Sequence, residues 1–357
     1  MENILTLSGL DKENFKKIID GVENNLYVLK NTAGAEVCIM NQGAKIVSIM
    51  VPDKNGKMTD VVLGYANIDD YLKGAATFGA VCGRYANRIA KGKFSIGDKT
   101  YTLVINNGPN HLHGGTKGYN CVMWKTEKVS ESSITLSYLS KDGEEGYPGN
   151  LQIEVTYTFT NDNRLEIDYK ATTDKETVFN ITNHSYFNLS GEGDPSIYDH
   201  QLAIRADSFL PTDATSIPLG KARPVEGTPM DFRTVETIGK RIDNKYEQLV
   251  LGSGYDHNYI LDNEKGALIL AAVAESPKTG IVMETYTTEP GIQLYTANFL
   301  DGTEIGKTGR PYPRRSAFCL ETQHYPDSPN HPNFPTTLQK PGQPYTSKTI
   351  YKFRARQ

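Results

Sequence analysis

Several familiar signatures are missing from the 357 residues of this chain. There is no Walker A loop, no dinucleotide fingerprint in a β-α setting, no G-x-S-x-G elbow and no HExxH helix. Gly79-Ala80-Val81-Cys82-Gly83 is too loose to count as any of them. The chemistry therefore has to come from acids, bases and hydrogen bonds. A basic block is also missing: Lys+Arg 38 stand against Asp+Glu 42, a formal net charge of -4, which argues against nucleic acid and anionic membranes as partners. No apolar stretch approaches the roughly 20 residues of a membrane-spanning helix. The N-terminal Met1-Glu2-Asn3-Ile4-Leu5-Thr6-Leu7 starts acidic and has no apolar core, so no secretory signal is read there. Cysteine is scarce and unpaired in spacing. Cys38, Cys82, Cys121 and Cys319 form no CxxC motif, and three of them lie in apolar runs that read as strands, which predicts reduced thiols and a cytoplasmic location.

Long helical patterns are equally scarce. Residues 10–20 read as a short helix, with Asp11 as N-cap and Phe15, Ile18 and Ile19 on one face. This helix belongs to an N-terminal extension covering residues 1–25. Further short helices are expected only at 68–72 and 235–242. Almost everything else is β-type. Apolar runs separated by turn residues recur from Leu26 to the C-terminus, and Gly97-Asp98 between two of them is a hairpin signal. In 151–160, Ile153, Val155, Tyr157 and Phe159 alternate with polar neighbours, so one face is buried and the other exposed. Many short strands without intervening long helices predict an all-β antiparallel sandwich rather than a parallel α/β sheet. No linker or fixed-period repeat divides the chain, so residues 26–357 are expected to form a single domain.

The candidate chemistry sits where apolar runs end. Glu321 closes Ala317-Phe318-Cys319-Leu320 and opens Thr322-Gln323-His324-Tyr325-Pro326-Asp327. A carboxylate at a buried strand end has its pKa raised by desolvation, which suits a general base. On this segment alone, an exposed strand-end carboxylate fits as well. His184, in Asn183-His184-Ser185-Tyr186-Phe187-Asn188-Leu189, follows another apolar strand; it suits an acid or base, or equally a hydrogen-bonded core histidine. In Asn110-His111-Leu112-His113-Gly114-Gly115, His111 and His113 would share one face of an extended strand, and the glycine pair would let backbone approach a ligand. That spacing also fits two metal ligands. The remaining candidates Asp256, His257 and Glu321 are scattered, however, so no metal is expected. Asn87 and Arg88, Asp256 before Asn258, and Gln293 near Tyr295 add amides, a guanidinium and carboxylates, the groups that a polyhydroxylated ligand requires.

Taken in order, Gly83-Arg84-Tyr85-Ala86-Asn87-Arg88-Ile89, Asn110-His111-Leu112-His113-Gly114-Gly115, Gly146-Tyr147-Pro148-Gly149, Asn183-His184-Ser185-Tyr186-Phe187-Asn188-Leu189, Asp256-His257-Asn258, Gly291-Ile292-Gln293 and Glu321-Thr322-Gln323-His324-Tyr325-Pro326-Asp327 resemble the aldose 1-epimerase (mutarotase) family, specifically the galactose mutarotase type. The resemblance runs from about Leu26 to the C-terminus. It implies a large antiparallel β-sandwich of the mutarotase-like supersandwich type and an isomerase acting on free aldoses. It further implies His184 as proton donor to the ring oxygen and Glu321 as the base at the C1 hydroxyl. Arg88, His113 and Asp256 match its sugar-binding side chains; Asn87, Tyr186 and Gln293 match less decisive binding positions. No cofactor is implied, and a monomer or weak dimer is expected. Two other readings of the same residues are a glycoside hydrolase or lyase using Glu321 and Asp256 as a carboxylate pair, and a non-catalytic sugar-binding sandwich.

Overall fold

The structure, a computed structural model, describes residues 5–263 and 265–356. Residues 1–4 of the stretch read for a signal lie outside the described residues. The largest sheet has nine strands, in the order Lys125–Val129, Ser133–Ser140, Leu151–Phe159, Arg164–Thr173, Tyr345–Ala355, Ile281–Thr287, Ile269–Glu275, Gln201–Ile204 and Glu236–Thr237. Its neighbouring strands pair antiparallel throughout. The period-2 pattern does what it predicts. Val155 lies opposite Tyr169 and Tyr157 opposite Ile167, all four buried, while Gln152 and Glu154 face solvent. Each such apolar side chain removed from water contributes about 1.5–3 kcal/mol, so a one-residue slip of register would forfeit a whole row.

A four-stranded sheet (Leu26–Lys30, Glu36–Met40, Lys45–Pro52, Met58–Asp60) and a five-stranded sheet (Arg223–Pro224, Ser208–Phe209, Asp256–Ile260, Gly291–Tyr295, Cys319–Gln323) are the next largest, and five two-stranded ladders accompany them among the described residues. One apolar cluster joins all three sheets, with Val37 and Ile46 from the first, Ile292, Leu294 and Leu320 from the second, and Ile153 and Tyr157 from the large sheet. The fold is the antiparallel all-β sandwich that the strand pattern predicts. No helix among the described residues is long and apolar enough to cross a membrane. Cys38, Cys82 and Cys319 are buried in strands, Cys121 is exposed, and all four thiols are free.

Local predictions fare unevenly. The hairpin at Gly97-Asp98 forms, with Ile96 opposite Lys99. The helix expected at 68–72 is Ile68–Lys73, whose N-cap Asn67 accepts the Asp70 N–H. The helix expected at 10–20 is not there. Only Lys12–Phe15 makes a single 3-10 turn, capped by Asp11, and the chain then forms a hairpin of Lys17–Ile19 and Val22–Asn24. Asp20 and Gly21 both adopt positive φ, 50° and 78°, the backbone of a type I′ turn, so the Asp-Gly turn chemistry overrides the helical spacing. At 235–242 the expected helix is again one 3-10 turn, Ile238–Lys240. Its lead-in, Glu236–Thr237, is taken up as the edge strand of the large sheet.

Candidate active site

The site grows out of the five-stranded sheet. Register places Asn258, Gln293 and Glu321 in one cross-strand row, and Asp256, Tyr295 and Cys319 in the next. Directly opposed residues share a face. One face of these three strands is therefore polar, while His257, Ile292, Leu294 and Leu320 alternate to the apolar side and are buried. Strands Gly291–Tyr295 and Cys319–Gln323 are buried on both faces, so Glu321 stands in the interior and is 2% exposed. It is not a surface residue.

His184 arrives on strand Thr182–His184, which pairs with Ala80–Cys82. Its Nε2 lies 3.2 Å from Glu321 Oε1. The distance is short but the alignment is not that of a hydrogen bond: Glu321 Oε1 and His184 Nδ1 are both buried without a hydrogen-bond partner among the described residues. Buried polar atoms are rarely left so, and two of them on residues that line one cleft point to a site built for a ligand. The His184 ring stacks on Tyr186, with centroids 5.1 Å apart and planes at 22°, and meets His113 edge-on at 5.2 Å.

Arg88 and His113 come from the two-stranded ladder of Arg88–Ile89 with His111–Leu112. Beyond it the chain turns sharply: Asn87 and His113 have φ of 64° and 51°, left-handed values that cost a non-glycine residue free energy and cluster at functional sites. Two bonds hold them there, His113 N–H to Asn87 O at 3.0 Å and Asn87 N–H to His113 Nδ1 at 3.0 Å. The second bond also fixes the tautomer, because a neutral His113 whose Nδ1 accepts keeps its proton on Nε2. Arg88 Nε donates to Asn107 Oδ1 at 3.0 Å. Behind Arg88, Asp327 N–H bonds the Arg88 carbonyl, while its carboxylate accepts Ala90 N–H, Asn330 Nδ2 and His331 Nε2. The Gly146-Tyr147-Pro148-Gly149 motif acts as a brace: the buried Arg84 guanidinium donates to Pro148 O, Gly149 O and Ser140 Oγ.

Of the eight residues expected at the site, Asn87, Arg88, His113, His184, Tyr186, Asp256 and Glu321 line one cleft of about 260 Å³. Gln293 stands behind it and donates from Nε2 to Asp256 Oδ1 at 2.9 Å. Drug-sized ligands occupy pockets of roughly 300–1,000 Å³, so this cleft suits a single sugar ring. Sequence reasoning missed Asn107, visible only as a turn residue, and Phe299, an exposed aromatic stacked on Tyr295 at the rim. A larger cavity of about 670 Å³, lined by Leu210, Ile260, Pro290 and Phe334 among others, contains none of the expected residues.

Two expectations around His111 are overturned. His111 does not share a face with His113, because the chain leaves the strand after Leu112; its ring is bonded to Val104 O and to the Tyr147 hydroxyl. The glycine pair serves packing and not a ligand. A Cβ on Gly114 would fall 1.9 Å from Gly83 O, and one on Gly115 would strike the Glu145 carboxylate. The metal alternative loses its ligands in the same way. His257 faces the core with Nε2 3.1 Å from Gln248 Oε1. Ligand atoms of His113, His184 and Glu321 do lie within 4.8 Å of one another. Yet the ring nitrogen of His113 not bonded to Asn87 carries a proton, so it has no lone pair to offer a cation.

Burial dominates the electrostatics. It pushes His184 down to about 4 and holds His113 well below the ordinary imidazole value. Glu321 is raised well above the usual carboxylate value by burial and by the neighbouring Asp256 charge, with Arg88 opposing. Asp256 is raised by burial, against Arg88 and the Gln293 hydrogen bond. Taking a carboxylate or imidazolium out of water costs several kcal/mol per ion. Burial therefore favours the tautomer in which Glu321 holds the proton and His184 is neutral.

An antiparallel β-sandwich with a buried carboxylate and imidazole facing a small polar cleft defines a protein equipped for acid/base chemistry on a hydroxyl-rich small molecule. Comparison with known proteins agrees. The family model described as aldose 1-epimerase matches residues 25–352. Galactose mutarotase of Sus scrofa is 48% identical over 317 residues, 89% of this chain and 90% of that protein. Aldose 1-epimerase of Escherichia coli (strain K12) is 38% identical over 338 residues, 94% of this chain and 97% of that protein. The crystal structure of the GalM/aldose epimerase homologue from C. elegans superposes with a TM-score of 0.86 at 32% identity, covering 94% of this chain and 100% of that one. The chain belongs to the aldose 1-epimerase family.

Proposed function

We propose that this protein is an aldose 1-epimerase that interconverts the α and β anomers of free aldohexoses such as D-galactose and D-glucose. The observation that carries this reading is the Glu321–His184 pair, 3.2 Å apart, buried and otherwise unbonded in a sugar-sized cleft. Opening the ring means breaking the bond from C1 to the ring oxygen. One proton must leave the C1 hydroxyl while another reaches the ring oxygen. The pair needs a single proton between its two groups. The form with that proton on His184 has a carboxylate that takes the C1 hydroxyl proton and an imidazolium that donates to the ring oxygen. The aldehyde then turns about the C1 to C2 bond and recloses on either face, with the two roles reversed. The four free thiols support a cytoplasmic setting.

Polarimetry of freshly dissolved α-D-galactose tests the reading. Catalysed decay of optical rotation supports it; no acceleration, or release of chromophore from an aryl glycoside, would replace it with the sugar-binding or hydrolase alternative.

Activity should trace a bell against pH. Below the acid limb the pair holds two protons and lacks a base; above the alkaline limb it holds none and lacks an acid, and both limbs belong to the pair. The Asp256 charge raises Glu321, so Asp256→Asn should let the shared proton leave earlier and move the alkaline limb of kcat to lower pH. An alkaline limb unmoved or shifted upward would contradict the coupling. Arg88 forms no salt bridge among the described residues, although its charge acts on Asp256 and Glu321, and its Nε is occupied by Asn107, which leaves the rest of the guanidinium fork for substrate. Arg88→Lys keeps the charge but not the planar fork. It should raise KM for galactose about tenfold, the value of a hydrogen bond to a charged group, with kcat less affected.

A further inference from the structure

Behind Asp256 runs a ladder of side-chain amides to which the proton transfers above assign no part. Gln293 Nε2 donates to Asp256 Oδ1 at 2.9 Å. Gln293 Oε1 in turn accepts from Gln323 Nε2 at 3.3 Å, and the same Gln323 Nε2 donates to Asn258 Oδ1 at 3.2 Å. Asn258 Nδ2 closes the series on the backbone carbonyl of Tyr259, at 3.2 Å. That carbonyl can only accept, so it fixes which way every amide in the ladder points. The Asn258 amide must present its oxygen to Gln323, Gln323 must present its NH₂ to both neighbours, and Gln293 must present its NH₂ to Asp256.

Two details show that this polarity is built in. Gln323 is fully buried, and its Oε1 has no hydrogen-bond partner among the described residues, so its orientation is set by its neighbours and not by its own satisfaction. Gly291, between the two outer strands, is the other. A Cβ there would fall 2.8–2.9 Å from the Asn258 amide atoms and 3.1 Å from Gln323 O, so only glycine leaves room for Asn258 to reach across. Were the ladder to reverse, Gln293 would turn its oxygen toward Asp256, which a carboxylate rejects and only a protonated Asp256 tolerates.

We propose that Gln323 is a positioning residue: by holding Gln293 with its NH₂ toward Asp256, it keeps Asp256 an ionised, outward-aimed acceptor for a sugar hydroxyl. This rests on the aldose 1-epimerase reading. The wild-type polarimetric assay is therefore run first, because absence of mutarotase activity there overturns that reading and not the ladder. Given an active wild type, Gln323→Met fills the same space without donors. Freed of Gln323, Gln293 no longer holds its NH₂ on Asp256, and loss of that hydrogen bond to a charged group predicts a KM for galactose about tenfold higher. Because Asp256 binds substrate and transition state alike, kcat should change little. On acidification KM should begin to climb at a higher pH than in the wild type, since Asp256 loses a donor that favours its charge. A fall in kcat with KM and its pH dependence unchanged would overturn the proposal.

A double-mutant comparison separates positioning from general loosening. Gln323 acts through Gln293, so Gln323→Met in a Gln293→Met background should add nothing to KM; effects that multiply would overturn the route. Gln323→Glu covers the case in which the methionine variant does not fold. Its buried carboxyl, while protonated, keeps one O–H donor for Gln293, so KM should stay below that of Gln293→Met. A KM equal to that of Gln293→Met would count against the proposal.

Discussion

Glu321→Gln should lower kcat for galactose mutarotation by about 10² to 10⁴, the contribution of one placed proton-transfer group, with little change in KM. Glutamine keeps the shape and the hydrogen-bonding reach but cannot take the C1 hydroxyl proton, and nothing else at 3.2 Å from His184 in the cleft is a carboxylate. The same substitution should stabilise the fold at neutral pH. In the folded protein, burial and the Asp256 charge raise Glu321 well above its ordinary value of 4.5. The folded state thus holds the Glu321 proton more tightly than the unfolded chain does. Stability from that group is fully present below the ordinary value and is lost as pH rises through the folded one. Glutamine cannot ionise and escapes the loss. Thermal unfolding should show a higher Tm for the variant at neutral pH and a gain that vanishes as pH falls toward 4.5. Near-wild-type turnover would remove Glu321 from the role of base, and an equal Tm at both pH values would show that its burial carries no charge penalty.

How much of this was legible beforehand depended on what each residue reports about itself. Leu151–Phe159 shows its strand and its buried face in the sequence, because one side of that sheet is buried and the alternation survives; its neighbour does not show there. Gly291–Tyr295 and Cys319–Gln323 are buried on both faces, so their runs showed strands without showing which face carries chemistry. From their own segments Glu321 and His184 show only as polar residues closing apolar runs, and their roles come from the resemblance of the motifs around them. Their meeting at 3.2 Å is a product of sheet register and of the Thr182–His184 strand lying against the site, neither of which leaves a local mark. Gly114 illustrates the opposite error. A glycine reports that something comes close but not what, and here it is the Gly83 carbonyl. Gln293 was found for the right segment, yet its place behind Asp256 needs the three-strand row to be seen. Phe299 gave no signal, because an isolated exposed aromatic is ordinary in any sequence.

His184→Gln should cost a further large factor, again about 10² to 10⁴ in kcat, for the complementary reason. A glutamine amide can hydrogen-bond the ring oxygen but does not give up its proton, so C1 to ring-oxygen cleavage would have to expel an alkoxide. Binding is expected to persist, since Arg88, His113 and Asp256 still line the cleft. The more demanding test is the double variant. If Glu321 and His184 work by passing one proton between them, removing either disables both, and Glu321→Gln with His184→Gln should be barely slower than the worse single variant, as groups that act as a unit behave. Rate losses that multiply would mean that each group acts on the sugar independently. The His184 value, pushed down to about 4 by burial, sharpens this expectation. An imidazole so poorly protonated on its own is an effective acid near neutral pH only when the shared proton comes to it from Glu321. Single-turnover polarimetry of the two single variants and the double variant, across the pH range of the wild-type bell, decides between the two.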